Sequence, residues 1–323
     1  MNKRFIGKAI ALLLALTMCA GLPVGCAKKD DTKKIAGYAL EPGEGIYSYV
    51  IHTPHATWHL AAADIELLGE DAFFEGLERI LENQEADFSD AIAALDGYLN
   101  DVPVIDIYTD FSGRTERAKL GTYGAYCLFH VPCIEVYKPD IAFESLLHEY
   151  AHYLTHCCMP YSIDGNFWSE AIAEYVSKFV CKNRMLHATF TEEGRNELAA
   201  RGFADPDGNP DIGKIYRATA AAYRDGSMIG QTYSAVSQAP VKMTERMVEH
   251  PTLTLLSYHE AACFFDWLTA RYGKELVFAN MSIGQGDFGA VFGEDFETLF
   301  FEWAADNRAY CEENGLKLNG SEN

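Results

Sequence analysis

The sequence Leu146-Leu-His-Glu-Tyr-Ala-His152 lies in a segment whose apolar residues recur at helical spacing, and it governs the interpretation of the whole chain. Residues four apart on a helix share one face. His148 and His152 can therefore direct two imidazoles at one metal ion, and Glu149 lies beside that ion, within reach of a water. This spacing predicts a metal site.

Signals for the start and the end of this helix agree with the spacing. Pro139-Asp140 precedes the apolar pattern and Met159-Pro160 follows it, so we predict a helix from Asp140 to about Cys157. A second amphipathic helix is predicted from Phe167 to Lys182.

The second helix offers the third ligand that a zinc site with two histidines needs. Its sequence Phe167-Trp-Ser-Glu-Ala-Ile-Ala-Glu-Tyr175 carries Glu170 seventeen residues beyond His152, enough chain to turn and return. Glu174, one turn further, is placed to accept the free N–H of a ligating histidine. His156 is rejected as a ligand because about 12 Å of helix rise separates it from His148.

These motifs resemble those of the gluzincin metallopeptidases. The metal helix followed by Trp168–Tyr175 is similar to the thermolysin type and to the membrane aminopeptidases, whereas the metzincin pattern fails at Thr155 and Cys158. The later segments Leu256–Leu268 and Phe292–Trp303 resemble bacterial peptidase-MA-like domains.

The resemblance implies a zinc-dependent peptidase with one Zn²⁺ and a peptide or protein substrate. Glu149 would be its general base, and Tyr258 would stabilise the tetrahedral intermediate, with His259 as the competing donor. The implied zinc ligands are His148, His152 and Glu170.

A strand before the metal helix is the candidate substrate-binding element. Tyr123, Gly124 and Ala125 begin a strand predicted to end at Cys127, which could pair with an extended peptide. The family's aminopeptidases carry a glutamate near this place that holds the substrate amine, and none is present between Gly121 and Tyr126. Aminopeptidase specificity is therefore not expected.

The order of the remaining elements predicts an α+β fold. Strands are expected at Tyr47–Ile51, Val102–Tyr108, Tyr123–Cys127 and Cys133–Tyr137, with helices at Leu60–Leu68, Phe73–Leu81 and Phe88–Leu99. After residue 140 we expect helices almost throughout. Residues 46–323 would form a single zincin-like catalytic domain, with an α+β lobe at 46–139 and a helical lobe at 140–323. Further helices are predicted at Thr191–Arg201, Ile212–Arg224, Leu255–Tyr272, Lys274–Met281 and Phe296–Cys311.

The N-terminus is typical of an exported protein. A basic start, an apolar stretch and Gly25-Cys26 predict a signal peptide over residues 1–26, with Cys26 as a lipidated residue of the bacterial lipoprotein type. Soluble secretion and an uncleaved anchor remain open, and residues 27–45 would be a tether. Because export permits disulfides, a bridge between Cys127 and Cys133 is possible, with buried free thiols as the alternative.

Composition excludes some function classes. The formal net charge of −21 makes a nucleic-acid-binding protein unlikely, because an acidic surface repels phosphate backbones. We expect contact with a membrane only through the N-terminal lipid. The alternative to an enzyme is a catalytically silent surface lipoprotein that keeps the zincin fold for a binding or cell-envelope role. The oligomeric state is not readable from the sequence.

Overall fold

The computed structural model describes residues 33–120, 124–222 and 251–316. The predicted signal peptide, Cys26 and Tyr123 lie outside the described residues. From Ile35 onward the described residues form one compact unit. Its fold is α+β, as predicted: a mixed sheet with helices comes first, and helices follow.

The strands form a two-stranded and a six-stranded sheet. β1 pairs with β2, and the larger sheet has the order β3-β4-β5-β6-β8-β7. β5, β6 and β8 are parallel, whereas β7 runs antiparallel to β8 at the edge of the sheet. The described strands are β1 (Lys34–Ile35), β2 (Tyr38–Ala39), β3 (Glu41–Pro42), β4 (Tyr47–His52), β5 (Ala56–Ala61), β6 (Ile105–Thr109), β7 (Ala125–Leu128) and β8 (Cys133–Val136).

Both helices predicted to carry the metal ligands end in a wider π-helical turn. These turns cover Leu154–Cys158 after α4 and Val176–Val180 after α5. The described α-helices are α1 (Ala62–Leu68), α2 (Glu70–Ala94), α3 (Glu116–Leu120), α4 (Pro139–Tyr153), α5 (Asn166–Tyr175), α6 (Arg184–His187), α7 (Glu192–Ala200), α8 (Ile212–Ala222), α9 (Pro251–Tyr272), α10 (Lys274–Ala279), α11 (Phe288–Phe292) and α12 (Phe296–Glu313).

Two predictions in the first lobe are corrected. The helices predicted at Phe73–Leu81 and Phe88–Leu99 are one continuous helix, α2. The polar residue Gln84 interrupts the apolar pattern, yet it is fully buried because it accepts a hydrogen bond from the Trp58 indole at 2.7 Å. Trp58 belongs to β5, a strand that the sequence analysis missed.

The helix predicted at Leu60–Leu68 begins only at Ala62, because the chain before it is β5. In this strand Ala56, Trp58 and Leu60 are buried, while the residues between them are half-buried. Such alternation is typical of a strand with one face on the core.

The compact unit starts before residue 46, where the domain was expected to begin. Within the predicted tether, β3 pairs with β4, and Ile35 and Leu40 are buried in the main core. The described part of this segment, from Ile35, is therefore part of the folded unit.

The helix α4, which carries the two histidines predicted to bind a metal, is held from several sides. It contacts the edge strand β7 and also β8, α2 and α5. Between α2 and α4, the rings of Phe88 and Tyr150 stack with centroids 3.6 Å apart, and both side chains are fully buried. α5 packs in turn on α9, where the rings of Trp168 and Phe265 meet edge to face.

The proposed Cys127–Cys133 bridge is not formed. Both cysteines are free, as are the five others in the described chain. Cys127 lies opposite Ile134, and Cys133 lies opposite Leu128. Because neighbouring residues of a strand point to opposite faces, the two thiols lie on opposite sides of the sheet.

Among the described residues, no helix has both the length and the apolar character that crossing a bilayer requires.

A buried carboxylate joins α2 to the chain that follows α5. Asp87, fully buried, accepts hydrogen bonds from the backbone N–H groups of Arg184 and Met185 at 2.8 and 2.9 Å. It also lies 3.1 Å from the Arg184 guanidinium, which reaches the more exposed Asp90 at 2.8 Å. Asp87 thereby fixes the start of α6 against α2.

We expect Asp87→Ala to lower the free energy of unfolding by about 3 kcal/mol, because two buried N–H groups lose their acceptor. Chemical denaturation measures this change. Asp90→Ala is the matched control, since it removes a half-exposed partner of the same arginine, and it should cost less than about 1 kcal/mol. Equal losses in the two variants would contradict the role given to Asp87.

Candidate metal centre

His148 and His152 lie one turn apart on α4, and their rings meet edge to face with centroids 4.5 Å apart. Both side chains are buried, with 9% and 5% of their surface exposed. The neighbouring Leu147 and Ala151 are fully buried, so the apolar face of the helix fixes its rotation. Packing of α4 therefore determines where both imidazoles point.

α5 brings Glu170 to the same point. Its Oε2 lies 3.1 Å from Nε2 of His148 and 3.3 Å from Nε2 of His152. The three potential ligand atoms all lie within 4.8 Å of one another, and they form the one such group among the described residues. The structure thus brings together the three ligands proposed from the sequence.

The spacing of these donors fits a zinc-type cation. Zinc bonds to nitrogen and oxygen are roughly 2.0–2.1 Å long, which places neighbouring donors of a tetrahedral site about 3.3–3.4 Å apart. The two measured separations between Glu170 and the histidines are close to this value. Two neutral imidazoles and one carboxylate are also a donor set that zinc accepts, with a fourth position open for water or substrate.

Carboxylates on both sides give the site a strong preference for positive charge. Glu174 Oε1 lies 3.0 Å from Nδ1 of His148. This contact is an ion pair rather than a well-aligned hydrogen bond, because Nδ1 has no hydrogen-bond acceptor among the described residues. Burial alone would lower the pKa of His148, but Glu170 and Glu174 raise it to about 10. Conversely, burial would raise the pKa of each of these two carboxyls, yet His152 and His148 hold the pKa of Glu170 well below its usual range, and His148 holds that of Glu174 at about 2.

Tyr216 completes the surroundings of Glu174. Its hydroxyl, from α8, donates to Glu174 Oε2 at 2.8 Å. The sequence analysis proposed Glu174 but missed Tyr216, because a single tyrosine 42 residues later belongs to no recognisable motif.

Glu149 lies between the metal helix and the edge strand. The backbone N–H of Cys127 in β7 donates to Glu149 Oε2 at 2.7 Å. Oε1 makes no hydrogen bond to any residue in the described part of the chain. Burial raises the pKa of this carboxyl, although His148 and His152 act in the opposite direction. One oxygen is thus anchored while the other can receive a proton.

Tyr258 and His259 point to different parts of the centre. The Tyr258 ring meets the His148 ring edge to face, with centroids 6.2 Å apart. The His259 ring lies 3.8 Å from that of Tyr216 instead, and burial lowers its pKa to about 4. Tyr258 is therefore the neighbour of the proposed ligand His148, whereas His259 lies beside the Tyr216–Glu174 pair.

His156 lies outside the ligand group but within the same network. Its Nε2 is 2.8 Å from Ser169 Oγ, which is 3.3 Å from Nδ1 of His152. Burial lowers the pKa of His156 to about 4, so its ring is neutral at neutral pH. Ser169 was missed by the sequence analysis, although it directly precedes Glu170.

The proposed substrate strand is described from Gly124. The carbonyl of Gly124 accepts hydrogen bonds from the N–H groups of Tyr137 and Lys138, so it faces the β8 side. Ala125 follows in β7 with its side chain buried. Because strand residues alternate in the direction of their backbone groups, those of Ala125 face the open edge of the sheet.

No protein-family model, curated protein or solved structure matches the chain.

The raised pKa of His148 leads to a prediction about metal binding. Without metal this ring is protonated at neutral pH, and a ligating imidazole must be neutral. Zinc binding should therefore release about one proton, and zinc affinity should rise with pH until the pKa of His148 is passed. Calorimetry in buffers of different ionisation enthalpy measures the release.

In the Glu174→Gln variant one of the two carboxylates that raise this pKa becomes neutral. Proton release should then end at a lower pH than in the wild type. Binding without proton release in the wild type, or an unchanged end point in the variant, would show that this account of His148 is wrong.

Proposed function

We propose that the chain is an exported, zinc-dependent metallopeptidase of the gluzincin type. The observation that carries the proposal is the convergence of His148, His152 and Glu170, donated by two helices, with Glu149 beside them. The N-terminal sequence supports export and attachment to the membrane through a lipid on Cys26. The substrate would be a peptide or a protein.

When bound, zinc would polarise the scissile carbonyl and lower the pKa of the attacking water. Among the ligands only Glu170 carries a negative charge, so a divalent cation with its two neutral imidazoles and this carboxylate would keep a net charge of +1. The open fourth position is where water and substrate would meet.

Glu149 would move the proton. Its Oε1 takes a proton from the attacking water and later passes it to the leaving amine. Because Oε2 is already held by Cys127 N–H, the carboxylate has few orientations to choose from. The pKa raised by burial suits a group that must both accept and return a proton.

Tyr258 would stabilise the developing negative charge on the carbonyl oxygen. Its ring meets that of His148 edge to face, with centroids 6.2 Å apart, which brings Tyr258 close to the proposed ligands. The edge strand β7 would hold the peptide. The backbone groups of Ala125 face outward there, and an extended substrate could pair with them.

We expect Glu149→Gln to keep zinc and to lose hydrolysis by about 10²–10⁴-fold, because the amide cannot accept the water proton. Cleavage of a peptide library, with zinc content measured on the same sample, provides the test. Glu197→Gln, at an exposed position on α7, is the control and should cleave like the wild type. The mechanism would be wrong if Glu149→Gln retained full cleavage.

We expect Tyr258→Phe to lower kcat by about 10²–10³-fold with little change in KM or zinc affinity, because it removes one donor to the oxyanion. Steady-state kinetics on a cleaved peptide checks this. If His259→Asn lowers kcat instead and Tyr258→Phe does not, the competing donor is the correct one.

The silent surface lipoprotein is the second candidate. It predicts full zinc occupancy with no cleavage of any peptide pool, whereas the peptidase predicts cleavage that a chelator abolishes.

A further inference from the structure

The second metal histidine is linked to a third histidine through a serine. Nδ1 of His152 lies 3.3 Å from Ser169 Oγ, and this oxygen lies 2.8 Å from Nε2 of His156. The three side chains come from α4, α5 and the π-helical turn after α4. The chain of contacts therefore bridges both helices that supply metal ligands.

When a cation is bound, the hydrogen bonds among these three side chains can have only one direction, from His152 to Ser169 to His156. A neutral His152 that offers the Nε2 lone pair must carry its proton on Nδ1. Ser169 Oγ accepts that proton in a hydrogen bond, so its own hydroxyl hydrogen must point elsewhere. Nε2 of His156 is within reach to accept it.

His156 is held in place for this task. The Phe129 ring stacks on it, with centroids 4.1 Å apart and an angle of 15° between the planes. Beside it, the Thr155 hydroxyl donates to the Ala151 carbonyl at 2.8 Å, which ties the π-helical turn to the metal helix. One face of the His156 ring is thus packed against Phe129, and the backbone that carries it is held in place.

The two metal histidines are oriented by different chemistry. His148 faces the carboxylate of Glu174, whereas His152 faces a neutral hydroxyl and imidazole. Three carboxylates, those of Glu149, Glu170 and Glu174, already surround the centre. A neutral chain orients the second ligand without adding a fourth negative charge.

We propose that His156 is a positioning residue of the metal centre: acting through Ser169, it fixes the Nδ1–H tautomer and the ring orientation of His152. This inference rests on the metal site of the proposed function. It assigns a role to a histidine that is not a ligand.

Two substitutions separate positioning from packing. His156→Gln keeps an acceptor near the place of Nε2 but loses the aromatic stack, whereas His156→Phe keeps the stack on Phe129 but has no acceptor. Zinc affinity of the full chain, measured by competition with a chromophoric chelator, is the readout. Absorption of the cobalt-substituted protein reports ligand geometry alongside it.

We expect zinc affinity to fall about 10-fold or more in His156→Phe and to stay close to the wild type in His156→Gln. Ser169→Ala should weaken binding at least as much as His156→Phe, and the double variant no more than Ser169→Ala alone. Normal zinc affinity in His156→Phe, or the reverse order of the two His156 variants, would overturn the positioning role.

The outcomes also distinguish this inference from the proposed function. A wild type that binds zinc but cleaves nothing would overturn the peptidase and leave the affinity comparison valid. A wild type that binds no zinc would overturn both.

Discussion

The structure depends on holding two imidazoles and several carboxylates together away from bulk water. Buried carboxylates are costly unless they are paired or coordinate a cation. Here a proton on His148 supplies the positive charge in the absence of metal, and a divalent cation would supply more. The carboxylates of the site therefore need more positive charge than the protein side chains alone provide.

The helices can carry this arrangement because their other faces are tightly packed. The stacked pair Phe88–Tyr150 fixes α4 against the first lobe, and Trp168 fixes α5 against α9. Neither contact touches the proposed metal site, yet each sets the rotation of a helix that carries proposed ligands. A small rotation would separate Glu170 from the histidines, since all three depend on helix faces rather than on loops.

Sequence spacing was sufficient to predict that His148, His152 and Glu170 converge, because helical periodicity converts spacing into geometry. His148 and His152 had to share a face, and Glu170 had to lie on the next helix. The partners of these ligands were harder to predict. Tyr216 reaches Glu174 from 42 residues away through one hydrogen bond, and Ser169 lies between two histidines of another helical segment. Neither contact leaves a periodic pattern in the sequence. The continuity of α2 was also missed, because the hydrogen bond from Trp58 allows the polar Gln84 to lie in the core, where an apolar residue was expected. The strand β5, which carries Trp58, was missed as well.

The π-helical turns after α4 and α5 differ in how the deletion of one residue would affect the proposed metal site. A π turn holds roughly one residue more than an α turn but completes about one revolution like it, so deleting one residue would restore an α turn and leave the direction of the following chain nearly unchanged. The turn after α5 is closed by a hydrogen bond from Cys181 N–H to the Val176 carbonyl, and the three proposed metal ligands all precede it. A homologue could shorten that turn and keep its ligands. The turn after α4 contains His156 itself, so deleting a residue of this turn ahead of His156 would change the direction in which the His156 side chain leaves the helix and separate it from Ser169. This turn should therefore resist insertions and deletions during evolution.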